Sequence, residues 1–127
     1  MTSETQTEIQ SVMTSPIETV SRRATIREAA TTMRDHGISA LLAPGGETGI
    51  VTSTDVLGVV ADGHDPDDVT VADVMTAPVE SVQAEMRLGE AAAMMTNYGV
   101  KHMPVRGSDG DYVGMVSSTD IQEILGE

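Results

Sequence analysis

Apolar residues follow two patterns along this chain, and the patterns alternate. Ile26, Ala29, Ala30 and Met33 stand at i, i+3, i+4 and i+7, the spacing that lines one face of a helix. Thr25 with Glu28 three residues on is a capping box that starts this helix. Gly37 stands where a left-handed C-cap would end it. Two short apolar runs come next, ISALLA from Ile38 and GIVT from Gly49, separated by Pro44-Gly45-Gly46. They read as two strands joined by a hairpin-type turn. A second helix follows in TDVLGVVA, with Thr54 as its expected N-cap. Further along, Leu88, Ala91, Ala92 and Met95 form a second stripe, closed by Gly99. VKHMPV and YVGMV then flank RGSDGD, and TDIQEILG closes the series, with Thr119 as its expected N-cap. The second stripe has no Thr–Glu box ahead of it, so its start is less sharply marked. A short, weak strand is expected from Pro16 to Val20.

The pattern is a repeat. VMTSPIETV begins at Val12 and VMTAPVESV at Val74, an offset of 62. The same offset aligns Thr14 with Thr76, Pro16 with Pro78, Ala29 with Ala91, Met33 with Met95 and Gly37 with Gly99. Past the turns the offset becomes 65, and Gly49 meets Gly114, Val51 meets Val116, and TSTD meets SSTD. Matches this dense and collinear mark a duplicated unit. Each copy reads β-α-β-β-α, an α+β unit, with copy one over 1–61, a polar linker over 62–69 and copy two over 70–127. A unit of roughly 50 residues is small for a core of its own. The two copies are therefore expected to pack together, sheet to sheet, with pseudo-twofold symmetry.

Composition narrows the chemistry. Aromatic residues make up 2% of the 127 positions, with no Phe or Trp, so Val, Ile, Leu, Ala and Met must build the core. Cysteine is absent, which excludes disulfides, thiol catalysis and zinc–thiolate sites. The net charge is −13, and Lys101 is the only lysine. That balance opposes attraction to nucleic acid or anionic lipid. It resembles the acidic cytoplasmic proteins of salt-loving archaea, whose surface acids keep them hydrated. No apolar run approaches the ~18 residues of a membrane helix, and the first residues lack the basic and apolar regions of a secretory signal. A cytoplasmic location is expected.

No catalytic constellation is present. His36, His64 and His102 form no metal-ligand pair. His64 sits among Asp62, Asp65, Asp67 and Asp68, which read as a solvated acidic loop. There is no nucleophile elbow, phosphate-loop lysine motif or dinucleotide glycine fingerprint. An enzyme is not expected. The doubled TSTD and SSTD are the remaining signal. Thr54 and Thr119 suit helix starts, and Asp55 and Asp120 suit the helix dipole. A second hydroxyl, Thr52 or Ser117, recurs three residues before each aspartate. A carboxylate at a strand end can accept both hydroxyls of a vicinal diol. Backbone N–H groups at a helix start can bind phosphate. Diol and phosphate together describe a nucleotide.

VMTSP and VMTAP, HGISALLA and YGVKHMPV, and GIVTSTDV and GMVSSTDI recur in order in both copies, from about Ile9 to Leu125. In these motifs the chain resembles the CBS pair, or Bateman module, in a stand-alone form. The resemblance implies a regulatory adenosine-ligand sensor without a catalytic cofactor. It implies AMP, ADP or ATP as ligands, with S-adenosylmethionine as an alternative, held in clefts between the repeats. It implies that Asp55 and Asp120 hold ribose, supported by Thr52, Thr54, Ser117 and Thr119. It implies base pockets lined by Thr14, Ile38 and Ser39 in copy one and by Thr76, Val100 and Lys101 in copy two. The expected cleft partners are Thr14, Ile38 and Ser39 with Ser117, Thr119 and Asp120. The second expected set is Thr76, Val100 and Lys101 with Thr52, Thr54 and Asp55. Lys101 and His102 are expected at phosphate; copy one has Ser39 and Ala40 there, and Leu42 where copy two has Pro104. Arg22 and Arg23 either assist at phosphate or are solvated. The resemblance also implies a homodimer and a regulated partner protein. Val56, Leu57, Val59, Val60, Ile121, Ile124 and Leu125 are the expected apolar faces in need of cover. The competing reading is a structural dimerisation module with empty clefts.

Overall fold

A computed structural model describes residues 6–126. Its elements are α1 (Ile26–His36), β1 (Ala40–Ala43), β2 (Gly49–Thr52), α2 (Ser53–Ala61), α3 (Val71–Val74), β3 (Val82–Gln83), α4 (Leu88–Tyr98), β4 (His102–Arg106), β5 (Tyr112–Ser117) and α5 (Ser118–Leu125). A single 3-10 turn at Ile9–Ser11 precedes them. β1 and β2 pair antiparallel, with Leu42 opposite Ile50. β4 and β5 do the same, with Pro104 opposite Met115, and β3 runs parallel to β4. Both expected hairpins are thus present.

The chain forms two compact units, and they cut across the repeats. One holds the described residues up to Ile17 together with those from Glu80 on; the other spans Glu18–Val79. The opening segment of copy one therefore belongs with the body of copy two. Thr14 and Met115 exchange both backbone hydrogen bonds, at 2.8 and 2.9 Å. Thr76 and Ile50 do so at 3.0 and 2.9 Å. The polar stretch read as a linker packs inside the second unit, where Ile26 N–H donates to Val69 and Arg27 N–H to Pro66.

Strand glycines admit these incoming segments. A Cβ on Gly114 would lie 2.6 Å from Met13 Sδ and 2.8 Å from the Thr14 carbonyl oxygen. One on Gly49 would lie 2.7 Å from Met75 Sδ. Each Met-Thr pair thus lies directly on bare strand backbone, at matching places in the two repeats.

Each unit has its own core. Ile26, Ala29, Met33, Leu41, Ala43, Val51, Val59 and Val71 form one. Ile9, Val82, Leu88, Ala91, Met95, Met103, Val105, Val116 and Ile121 dominate the other. The helical stripes therefore face inward as their spacing predicts. Val59 and Ile121, expected on a face needing cover, are instead 4% and 3% exposed within these cores. Leu57 and Val60 do remain open, at 67% and 58%.

Helix ends follow local chemistry. Thr25 and Glu28 form the capping box: Glu28 N–H donates to Thr25 Oγ1 at 3.1 Å, and Thr25 N–H to Glu28 Oε1 at 2.9 Å. Gly37 and Gly99 close α1 and α4 at φ 63° and 67°, where a Cβ would be strained. At α4 only half a box forms, from Arg87 N–H to Glu90.

The weak strand near Pro16 is a single parallel bridge, Thr19 to Leu42. It is held by Leu42 N–H donating to Glu18 at 3.0 Å. Pro104, the matching residue of copy two, has no N–H to make that bond.

Candidate functional site

The repeated hydroxyl–aspartate stretches lie where a strand turns directly into a helix, β2 into α2 and β5 into α5. The helices begin earlier than the sequence suggests. Thr52 and Ser117 are the N-caps, and Thr54 and Thr119 are second in their helices. The three-residue spacing is itself a capping arrangement. Thr52 N–H donates to Asp55 Oδ2 at 2.8 Å, and the Thr52 hydroxyl reaches the same oxygen at 3.1 Å. Ser117 N–H donates to Asp120 Oδ2 at 3.0 Å, and Asp120 N–H to Ser117 Oγ at 3.1 Å. The doubled hydroxyl therefore has a structural explanation. A carboxylate has about four lone-pair sites, so the box leaves Asp55 and Asp120 with capacity for a ligand hydroxyl.

The opening threonines meet these strand ends. Thr14 bonds Met115, two residues before Ser117, and Thr76 bonds Ile50, two residues before Thr52. Both threonines are exposed, as are Thr54 and Thr119. Each motif thus receives its threonine from the other repeat, as expected.

The residues after the helix-ending glycines are grouped differently from the expected sets. Ser53 N–H donates to the Ser39 carbonyl at 2.9 Å, and Ser118 N–H to the Lys101 carbonyl at 2.8 Å. Ile38 and Ser39 therefore neighbour Asp55 rather than Asp120, and Val100 and Lys101 neighbour Asp120. The reason is local: the residue after each C-cap enters the first strand of its hairpin, whose partner strand ends in that repeat's own motif. One unit assembles Thr14, Val100, Lys101, His102, Ser117, Thr119 and Asp120. The other assembles Thr76, Ile38, Ser39, Thr52, Thr54 and Asp55.

The two assemblies differ in charge. Lys101 is exposed and His102 half-buried, with His102 opposite Ser117 across the hairpin. Burial pushes the His102 imidazole below its ordinary pKa; the Asp120 carboxylate opposes that and the Lys101 ammonium adds to it. A 380 Å³ cavity beside Lys101 is floored by Met95, Val100 and Ile121 and rimmed by Ser118 and Gln122. In the other unit a 550 Å³ cavity runs from Thr54 and Asp55 along α2 to Asp62, His64 and Asp73. No arginine or lysine lines it. Arg22 is committed elsewhere, since its Nη2 donates to the Gly45 and Glu47 carbonyls at 2.6 Å each and clamps the β1–β2 turn. Among the described residues, no group of three or more His, Cys, Asp or Glu could hold a metal ion.

Comparison with known proteins identifies the architecture. The CBS domain family model matches residues 9–62 and again 71–127. The chain belongs to the CBS domain family. It is a CBS pair, and such pairs typically serve as regulatory modules. An uncharacterized protein, MK0525, from Methanopyrus kandleri is 34% identical over 76% of this chain. The chain spans about half of that relative, 52% of its length. The CBS domain pair of protein MJ0100, solved in complex with 5'-methylthioadenosine and S-adenosyl-L-methionine, superposes with a TM-score of 0.83 at 27% identity. That match covers 94% of this chain and 96% of that one. A hexameric CBS-CP12 protein from bloom-forming cyanobacteria gives a TM-score of 0.85 at 28% identity, covering 91% of this chain and 66% of that one. No described helix of this CBS pair is long and apolar enough to cross a membrane.

Proposed function

We propose that this CBS pair is a sensor of adenosine ligands, with one ribose-holding lip in each compact unit. The observation that carries the reading is the convergence, made twice, of an exposed threonine, a post-glycine strand start and a capped hydroxyl–aspartate motif. In each lip the aspartate accepts ribose hydroxyls, while the positive end of the helix dipole favours the ligand's anionic end. One solved CBS pair, that of MJ0100, carries adenosine ligands and supports the class. The lips are unequal: Lys101 and His102 favour phosphate beside Asp120, so AMP, ADP or ATP is assigned there. The uncharged Ser39 and Ala40 beside Asp55 offer phosphate nothing comparable. S-adenosylmethionine, a cationic ligand, suits that second, more acidic surround. Ligand occupancy biases the packing of the chain, and a partner protein reads that bias. The working form is a homodimer.

Thermal-shift titration with AMP, ADP, ATP and S-adenosylmethionine tests this directly. A ligand that binds only the folded state must raise Tm, by an amount that grows with ligand concentration. A flat response to all four at millimolar concentration would overturn the sensor and leave a dimerisation module.

A further inference from the structure

We infer that His102 makes phosphate recognition at the Asp120 lip a proton-coupled event, so that this lip reports pH together with nucleotide. The inference rests on the sensor reading above. His102 opens β4 and stands opposite Ser117, the N-cap of α5. Its neighbour Lys101 accepts the Ser118 N–H through its carbonyl, which seats the Lys101–His102 pair against the first turn of α5. The charged groups acting on the imidazole are Asp120 from α5 and Lys101 from its own strand. Burial holds the half-buried imidazole below its ordinary pKa, so at neutral pH it is uncharged in the ligand-free protein. A phosphate at this helix start adds negative charge beside the ring without removing the Lys101 ammonium. That shift favours the imidazolium. The proton comes from solvent, and the protonated ring then donates to a phosphate oxygen.

The sign follows from linkage. The pKa of His102 is higher with ligand than without it, so binding takes up a fraction of a proton between the two values. Affinity for the phosphate therefore rises as pH falls through that window. A difference of about one pKa unit makes binding up to ~10-fold tighter at its acid end. The duplicated architecture contains its own control. Ser39 and Ala40 occupy the matching positions in the other unit, so the Asp55 lip has no imidazole at the place of His102; His64 lines its cavity from the segment after α2.

Calorimetry of AMP binding in buffers of different ionisation enthalpy measures the proton taken up. Net uptake is expected with AMP and the wild-type chain, and none with adenosine. His102→Gln should lose the uptake and bind AMP more weakly, with the loss concentrated at acid pH. The ratio of variant to wild-type Kd should grow several-fold from about pH 8 to about pH 6. That ratio cancels the titration of the AMP phosphate itself. Equal uptake in the variant and the wild type would place the proton elsewhere and overturn the inference, while the sensor stands. Absence of AMP binding at every pH would overturn this inference together with the assignment of AMP to the Asp120 lip, and absence of S-adenosylmethionine binding as well would overturn the sensor reading itself. Should His102→Gln fold poorly, an NMR titration of the His102 ring in the wild-type chain decides. Its pKa must rise when AMP is added, and an unchanged value overturns the inference.

Discussion

Asp120 does two jobs, and substitution can separate them. One carboxylate oxygen caps α5 through the Ser117 N–H at 3.0 Å. The remaining acceptor capacity is available to ligand. Ser117→Ala removes the Oγ that accepts the Asp120 N–H, and a lost N-cap costs about 1 kcal/mol of stability. Asp120→Asn keeps an oxygen for the cap but loses the charge, so its effect falls on binding. A charge-assisted hydrogen bond is worth about 1.5–3 kcal/mol, so AMP affinity should fall roughly 10- to 100-fold while Tm moves little. Calorimetry and melting of the two variants check the separation; a large Tm loss in Asp120→Asn would show that its charge is mainly structural. Gly114 is the other residue with a sharp expectation. A Cβ there meets the Met13 sulfur and the Thr14 carbonyl, and strand backbone cannot retreat freely. Gly114→Ala should cost about 1–3 kcal/mol, the range for overpacking, and should disturb Thr14 at the lip. Urea unfolding with and without AMP reads both effects.

Among the elements, those with a local signal are legible in the residue pattern alone. The stripes of α1 and α4, the Thr25–Glu28 box, the αL glycines and both hairpins depend on neighbours in sequence, and they stand where spacing places them. The starts of α2 and α5 lie two residues ahead of where the pattern puts them. Thr52 and Ser117 look like strand residues by pattern but act as caps. The short helix α3 escapes the pattern although Thr70 and Asp73 repeat the same box; its four residues are too few to show a helical period. Thr70 N–H donates to Asp73 Oδ2 at 2.9 Å, and that bond holds the Asp73 carboxyl below its ordinary pKa. A depressed folded-state pKa contributes stability above the unfolded value and loses it as pH falls through the folded one. The Tm gap between wild type and Asp73→Asn should therefore be constant near neutrality. It should close only below the ordinary aspartate range, as pH-dependent melts will show. A gap that closes near neutral pH would assign the effect to another group.

At the scale of the whole molecule, the exchange of opening segments is only half legible in the sequence. The resemblance of VMTSP and VMTAP to a known pattern places each threonine with the other repeat's motif. The placement of Ser39 and Lys101 follows from the hairpins themselves, whose paired strands bring each post-glycine start beside its own repeat's motif, a consequence that the expected sets passed over. The exposed apolar surface is smaller than the pattern suggests for a related reason. Periodicity marks Val56, Val59, Ile121 and Ile124 as apolar but does not say which of them face their own sheet. What remains open on α2 is Leu57 and Val60, one turn apart and both more than half exposed. At the matching positions of α5 stand Gln122, exposed, and Leu125, half-buried, so the open apolar face is carried mainly by one repeat. A self-complementary contact through this face places it against the same face of a second copy, as a twofold interface requires. Replacing both residues, Leu57→Glu with Val60→Glu, sets like charges against each other there. Because neither side chain belongs to the core, the fold and its Tm should be retained. Light scattering should then show a dimer for the wild type and a monomer for the variant. A variant that remains dimeric would move the interface off α2, and a wild type that is monomeric at the same concentration would remove the homodimer from the proposal.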